Sequence, residues 1–166
     1  MLTSAMATPT NVSDERPHWE EIHSGKSDES VSWFQKLPRL SLELIEAAGV
    51  DRDAHIVDVG GGASRLVDAL LDGGYRHITV LDIAEAALDR AKRRLEGRAA
   101  TVNWIVSDVT AWAHEGIYDV WHDRASFHFL VTPERRLGYR NTLASALRPG
   151  GQAIIATCRE ARSLHS

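Results

Sequence analysis

The chain has 166 residues, of which 43% are apolar and 25% charged, and a net charge of −4. That composition suits a single globular domain and argues against a surface built to coat nucleic acid. No apolar run approaches the ~18 residues a membrane helix needs, no basic-then-apolar leader marks a secretory signal, and the single Cys158 excludes an internal disulfide or a cysteine-based zinc site. A cytoplasmic protein without a membrane partner is the resulting expectation.

Residues 1–16 are polar and aperiodic and read as a disordered leader. Residues 17–50 read as an N-terminal lid and a first helix. In the lid, Trp19, His23, Trp33 and Phe34 either fold over a ligand or clip onto the sheet, with Trp33 the better lid candidate. From Pro38 to Ala48, Leu40, Leu44, Ile45 and Ala48 recur at helical spacing, and Gly49 suits the C-terminal cap.

A repeating rhythm follows over residues 51–157. HIVDVG (55–60) predicts a strand and Ser64 to Leu71 a helix with Leu66, Val67, Leu70 and Leu71 on one face. HITVLDI (77–83) predicts a second strand and Glu85 to Glu96 a helix built on Leu88, Ala91 and Leu95. TVNWIVSD (101–108) and IYDVWHD (117–123) predict the third and fourth strands. Thr132 and Pro133 open a helix whose apolar side is expected from Leu137, Leu143, Ala144 and Leu147; RPGG (148–151) reads as a turn and QAIIAT (152–157) as the fifth strand. Residues 158–166 form a polar tail. Apolar strands without clean alternation suit burial on both faces, so the pattern predicts an α/β, doubly wound parallel sheet.

The sharpest local signal is VDVGGGASRL (57–66), a strand, three glycines and a helix start. Glycines there permit a tight turn and close ligand approach, and the helix end adds N–H donors. Gly60 and Gly62 match a dinucleotide-binding loop, but Arg65 occupies its third glycine position. Asp58 lies where it can accept from a cationic ligand. Asp82, 22 residues after Gly60, has the spacing of a ribose-binding acid. Asp108 either accepts from an adenine amino group or caps the following turn. The ends of parallel strands share one edge, so these acids are expected to converge on one crevice.

These segments, in order, resemble the class I S-adenosylmethionine-dependent methyltransferases. Asp58 through Gly62 resembles their first motif, with Ser64 where a further glycine often stands. Asp82 resembles their ribose-binding acid and Ser107-Asp108-Val109 their adenine-contacting motif. Tyr118 to Ala125 resembles their strand-four motif, and Leu147 to Gly151 their turn before strand five. The resemblance spans roughly residues 18–157 and implies a Rossmann-like sheet in the order 3-2-1-4-5. The C-terminal antiparallel hairpin of that family is expected to be missing, which leaves the strand-five edge open to self-association.

What the resemblance implies is methyl transfer from S-adenosylmethionine to a small-molecule or protein acceptor. It implies cofactor contacts at Trp33, Asp58, Gly60, Gly61 and Gly62, at Asp82 and Ile83, at Asp108 and Val109, and at Asp123. His122 and Asp123 are the candidates to orient or deprotonate an acceptor; alternatively Asp123 and Arg124 hold the loop, and His128 packs beside aromatics. No histidine spacing points to a metal site. Two other readings stand beside this one: a S-adenosylmethionine-binding module or subunit with impaired catalysis, and an NAD-dependent oxidoreductase, which Arg65 disfavours.

Overall fold

The computed structural model describes residues 17, 38–62, 64–114, 117–124 and 126–157. The lid residues Trp19, His23, Trp33 and Phe34 therefore lie outside the described residues.

Five strands form one parallel sheet: β1 (His55–Val59), β2 (His77–Asp82), β3 (Val102–Val106), β4 (Tyr118–Asp123) and β5 (Leu147–Ile155). Their order is β3-β2-β1-β4-β5, with every neighbouring pair parallel. The doubly wound, Rossmann-like α/β sheet expected from the sequence is thus present. The helices are α1 (Arg39–Ala47), α2 (Leu66–Asp72), α3 (Glu85–Leu95) and α4 (Pro133–Ala146). Short 3-10 turns at Glu96–Thr101 and Ser126–Phe129 complete the described elements.

The sheet divides the core in two. On one face Ile56 of β1, Val80 of β2 and Val120 of β4 pack with Ile45 of α1, Leu66 and Leu70 of α2 and Leu88 of α3. On the other, Val57, Leu81 and Trp121 pack with Trp112 and with Tyr139 of α4. The two faces alternate residue by residue along β1 and β2, as the pleat requires. Burial on both faces explains why the central strands read as continuous apolar runs.

Three local expectations are corrected. In α1 the buried positions are Ser41 and Ile45, whereas Leu40 and Leu44 are 58% and 40% exposed. A polar contact turns the helix: Ser41 meets a histidine of β4. In α4 the buried positions are Arg135, Tyr139, Thr142 and Ala146; of the expected apolar side, Leu143 and Leu147 pack against the core, while Leu137 is exposed and Ala144 faces solvent. Hydrogen bonds from Tyr139 and close packing of Gly138 on the Thr110 backbone set that face. The expected turn at 148–151 lies within β5. Tyr118 pairs with Leu147 but Val120 with Gln152, so the Arg148–Gly151 stretch bulges out of the ladder, with Gly150 at φ +83°.

Candidate functional site

The loop after β1 is shaped by what cannot be there. Gly60 has φ +68°, and a Cβ on it would run into the Ser126 hydroxyl. A Cβ on Gly61 would run into Asp58 Oδ2, and one on Gly62 would lie 2.7 Å from Ala87 Cβ and 2.9 Å from Asp82 Oδ2. Glycine at all three positions lets the loop lie flat on the ends of β1 and β2. Gly60 N–H donates to the Leu81 carbonyl at 2.7 Å, which ties the loop to β2.

Asp82 closes the other side of the loop. Its Oδ2 accepts from Gly62 N–H at 3.0 Å and its Oδ1 from Ala84 N–H at 2.9 Å. Each oxygen keeps a second lone pair, so the carboxylate can accept two further donors. Burial pushes the Asp82 carboxyl up to about 6; the charge of Asp58 adds to this, and the backbone hydrogen bonds oppose it. Ile83 follows at the half-buried start of the β2–α3 turn.

Asp58 is 2% exposed. Its Oδ1 lies 2.7 Å from His122 Nδ1, and His122 Nε2 lies 2.9 Å from Ser41 Oγ. Asp58 Oδ2 is buried and has no hydrogen-bond partner among the described residues. A buried carboxylate oxygen of this kind is costly unless a donor reaches it.

His122 and Asp123 are strand residues of β4, not residues of the loop after it, and as neighbours they point to opposite faces of the sheet. His122 faces α1 through Ser41; Asp123 faces α4. Asp123 is fully buried and accepts from Ser126 N–H at 2.7 Å, Phe127 N–H at 3.1 Å and Tyr139 O–H at 2.7 Å. Tyr139 in turn accepts from Trp121 Nε1 at 2.9 Å. Burial, then the Asp123 charge, raise the Tyr139 phenol well above its usual range, so it stays a proton donor. The turn that Asp123 holds presents Ser126 over Gly60, and Ser126 Oγ donates to the Val59 carbonyl at 3.2 Å. Ser126 carried no sequence signal of its own. His128 is exposed, its ring edge-on to Phe129 at 5.2 Å.

Asp108 turns away from the glycine loop. Its Oδ1 accepts from Thr110 N–H and Thr110 O–H at 2.9 and 2.8 Å, and its Oδ2 lies 3.3 Å from Arg135 of α4. Val109 is buried in the α4-side core. The structure therefore brings Asp58 and Asp82 together around Gly60–Gly62, while Asp108 pairs with α4 one strand further out. A separate groove of about 700 Å³ runs along the α4 face past Thr79, Asn103 and Trp112. It does not include the glycine loop.

The observations fit a ligand that is cationic at one point and carries adjacent hydroxyls at another. A flat glycine bed separates an unpartnered buried carboxylate oxygen from a second carboxylate with spare acceptors.

The family described as "Methyltransferase domain" matches residues 56–151, more than half of the chain. Nodulation protein S of Rhizobium tropici is 30% identical over 65% of this chain and 44% of its own. The ubiquinone/menaquinone biosynthesis C-methyltransferase UbiE of Roseobacter denitrificans is 29% identical over 60% of this chain and 40% of its own. The chain thus spans less than half the length of these relatives. Among solved structures, the N-methyltransferase NodS from Bradyrhizobium japonicum WM9, in complex with S-adenosyl-L-homocysteine, superposes with TM-score 0.69 at 16% identity, over 86% of this chain and 72% of that one. A DhpI–SAM–HEP complex superposes with TM-score 0.71 at 16% identity, over 96% and 72%. At such identities these two likenesses concern the fold alone.

Proposed function

The chain belongs to the methyltransferase-domain family, and from that premise we propose that it binds S-adenosylmethionine at the Gly60–Gly62 rim and passes the methyl group to a small-molecule or protein acceptor. The observation that carries the reading is the pairing of Asp58 and Asp82 across the glycine loop. When bound, the cofactor supplies an electrophilic sulfonium methyl that a nucleophile displaces.

The residues of this chain then have separate tasks. Asp82 accepts from the two ribose hydroxyls with the lone pairs its backbone contacts leave free. Asp58 Oδ2 accepts from the ammonium of the amino-acid end. Gly60, Gly61 and Gly62 allow the backbone close approach. The backbone of Ile83 and of Asp108–Val109 borders the adenine, with the Asp108 carboxylate fixing its turn through Thr110. Trp33 is proposed to cover the ligand. Asp123 shapes the cofactor's methionine end indirectly, by holding Ser126 and Phe127 in place.

Neither His122 nor Asp123 is exposed enough to meet an acceptor, so we assign both to positioning rather than proton transfer. An activated methyl needs chiefly alignment and exclusion of water; orientation of this kind supplies about 7–11 kcal/mol in favourable cases. The acceptor proposed here is a small molecule or a protein side chain, with no nucleic-acid partner.

Calorimetric titration of the full chain with S-adenosylmethionine and with NAD tests the reading. Binding of the first and not the second is expected, and Asp82→Ala is expected to weaken it about tenfold or more. Preference for NAD, or unchanged affinity in Asp82→Ala, would overturn it. Release of S-adenosylhomocysteine in the presence of an acceptor panel distinguishes an enzyme from a binding module.

A further inference from the structure

We propose that His122 and Ser41 are positioning residues for the cofactor's amino-acid end, holding Asp58 so that its second oxygen is presented at the glycine loop. The proposal rests on the cofactor reading above and goes beyond it by assigning a role to two side chains that do not touch the loop.

Three buried polar side chains from three elements form one line: Asp58 of β1, His122 of β4 and Ser41 of α1, exposed by 2%, 2% and 3%. The contacts are 2.7 and 2.9 Å long, between residues 64 and 81 positions apart. A carboxylate can only accept, so Nδ1 of His122 carries the proton and donates to Asp58 Oδ1. Nε2 then accepts from the Ser41 hydroxyl when the ring is neutral and donates to it when the ring is charged. Both states keep both hydrogen bonds, so Asp58 is held either way. With Oδ1 committed, Oδ2 is the oxygen left facing Gly61, where even a Cβ would collide with it.

The placement of Ser41 supports this. Its helix turns a serine inward and leaves two leucines outside. A helix merely covering the sheet would bury the leucines. The same three residue types also form nucleophilic triads, but Ser41 Oγ lies between α1 and the sheet and is closed to a substrate. What remains for the line is to fix the carboxylate. A cationic donor at Oδ2 satisfies the buried oxygen and relieves the repulsion that Asp58 exerts on Asp82.

The test compares two ligands on the 166-residue chain: S-adenosylmethionine, and methylthioadenosine, which keeps the ribose and adenine but has no amino-acid ammonium. His122→Leu is expected to weaken S-adenosylmethionine about tenfold and Ser41→Ala about threefold, while both leave methylthioadenosine within about twofold. In an Asp58→Asn background, Ser41→Ala is expected to have no further effect, because its action passes through Asp58. Should His122→Leu fail to fold, the Ser41→Ala and Asp58→Asn comparison carries the test alone. Equal weakening of both ligands, or no change in either, would overturn the proposal. If the wild-type chain bound neither ligand, the cofactor reading itself would fall, and the positioning role with it.

Discussion

Replacing Asp82 by Asn should change how the stability of the unliganded chain depends on pH, because Asp82 is a buried acid held in a costly state. Its carboxyl ordinarily titrates near 3.8 and is raised to about 6 here, chiefly by burial and further by Asp58. Between those values the folded chain holds a proton that the unfolded chain has lost. Stability from this group therefore falls as pH rises from 3.8 to about 6 and is flat above it. The gap corresponds to a penalty of about 3 kcal/mol above pH 6, as an order of magnitude. Asp82→Asn does not titrate. It also loses one acceptor for Gly62 or Ala84 N–H, an offset that is constant once the wild-type carboxylate is ionised. Urea unfolding of both proteins between roughly pH 4 and pH 7.5 reads the effect, since carboxylates that do not interact with Asp82 cancel in the difference and only the coupled Asp58 contributes with it. Wild type is expected to lose ground to the variant as pH rises and then hold level. A difference that stayed constant, or that ran the other way, would refute the account of Asp82 as a desolvated acid.

Two further outcomes follow from the packing. Gly62→Ala is expected to destabilise the chain by about 1–3 kcal/mol in the same urea assay, because the new methyl crowds Ala87 and Asp82; an unchanged midpoint would mean the loop has room that the structure does not show. Tyr139→Phe strands the buried Trp121 N–H and removes a donor to Asp123, so a loss of about 1–3 kcal/mol is expected by denaturation. Intact stability in Tyr139→Phe would contradict the role given to this link between β4 and α4.

How far the sequence disclosed this arrangement depended on distance along the chain. The double burial of β1, β2 and β4 was legible because a strand covered on both faces leaves an unbroken apolar run. The Gly60–Gly62 loop and Asp82 were legible because strand, turn and acid are spaced by local geometry. The inward face of α1 was not. Leu40 and Leu44 fit the helical period, yet Ser41 is buried because a histidine 81 residues away pairs with it. The face of α4 was legible only in part: Leu143 and Leu147 do pack on the core, but Tyr139 is drawn in by Asp123 and Trp121, and periodicity sees neither. On sequence alone, His122 and Asp123 are both candidates to act on one acceptor. The pleat of β4 sends them to opposite faces, so one meets Ser41 of α1 and the other Tyr139 of α4.

The central claim is that the ends of β1 and β2, joined by the glycine loop, form the seat of S-adenosylmethionine. Hydrogen–deuterium exchange of the full chain with and without the compound tests it most directly. Slowed exchange strongest in the peptides around Gly60–Gly62 and Asp82–Ala84, whose amides line that seat, is the predicted result. Protection that instead fell along Thr79, Asn103 and Trp112, with the glycine loop unaltered, would contradict it.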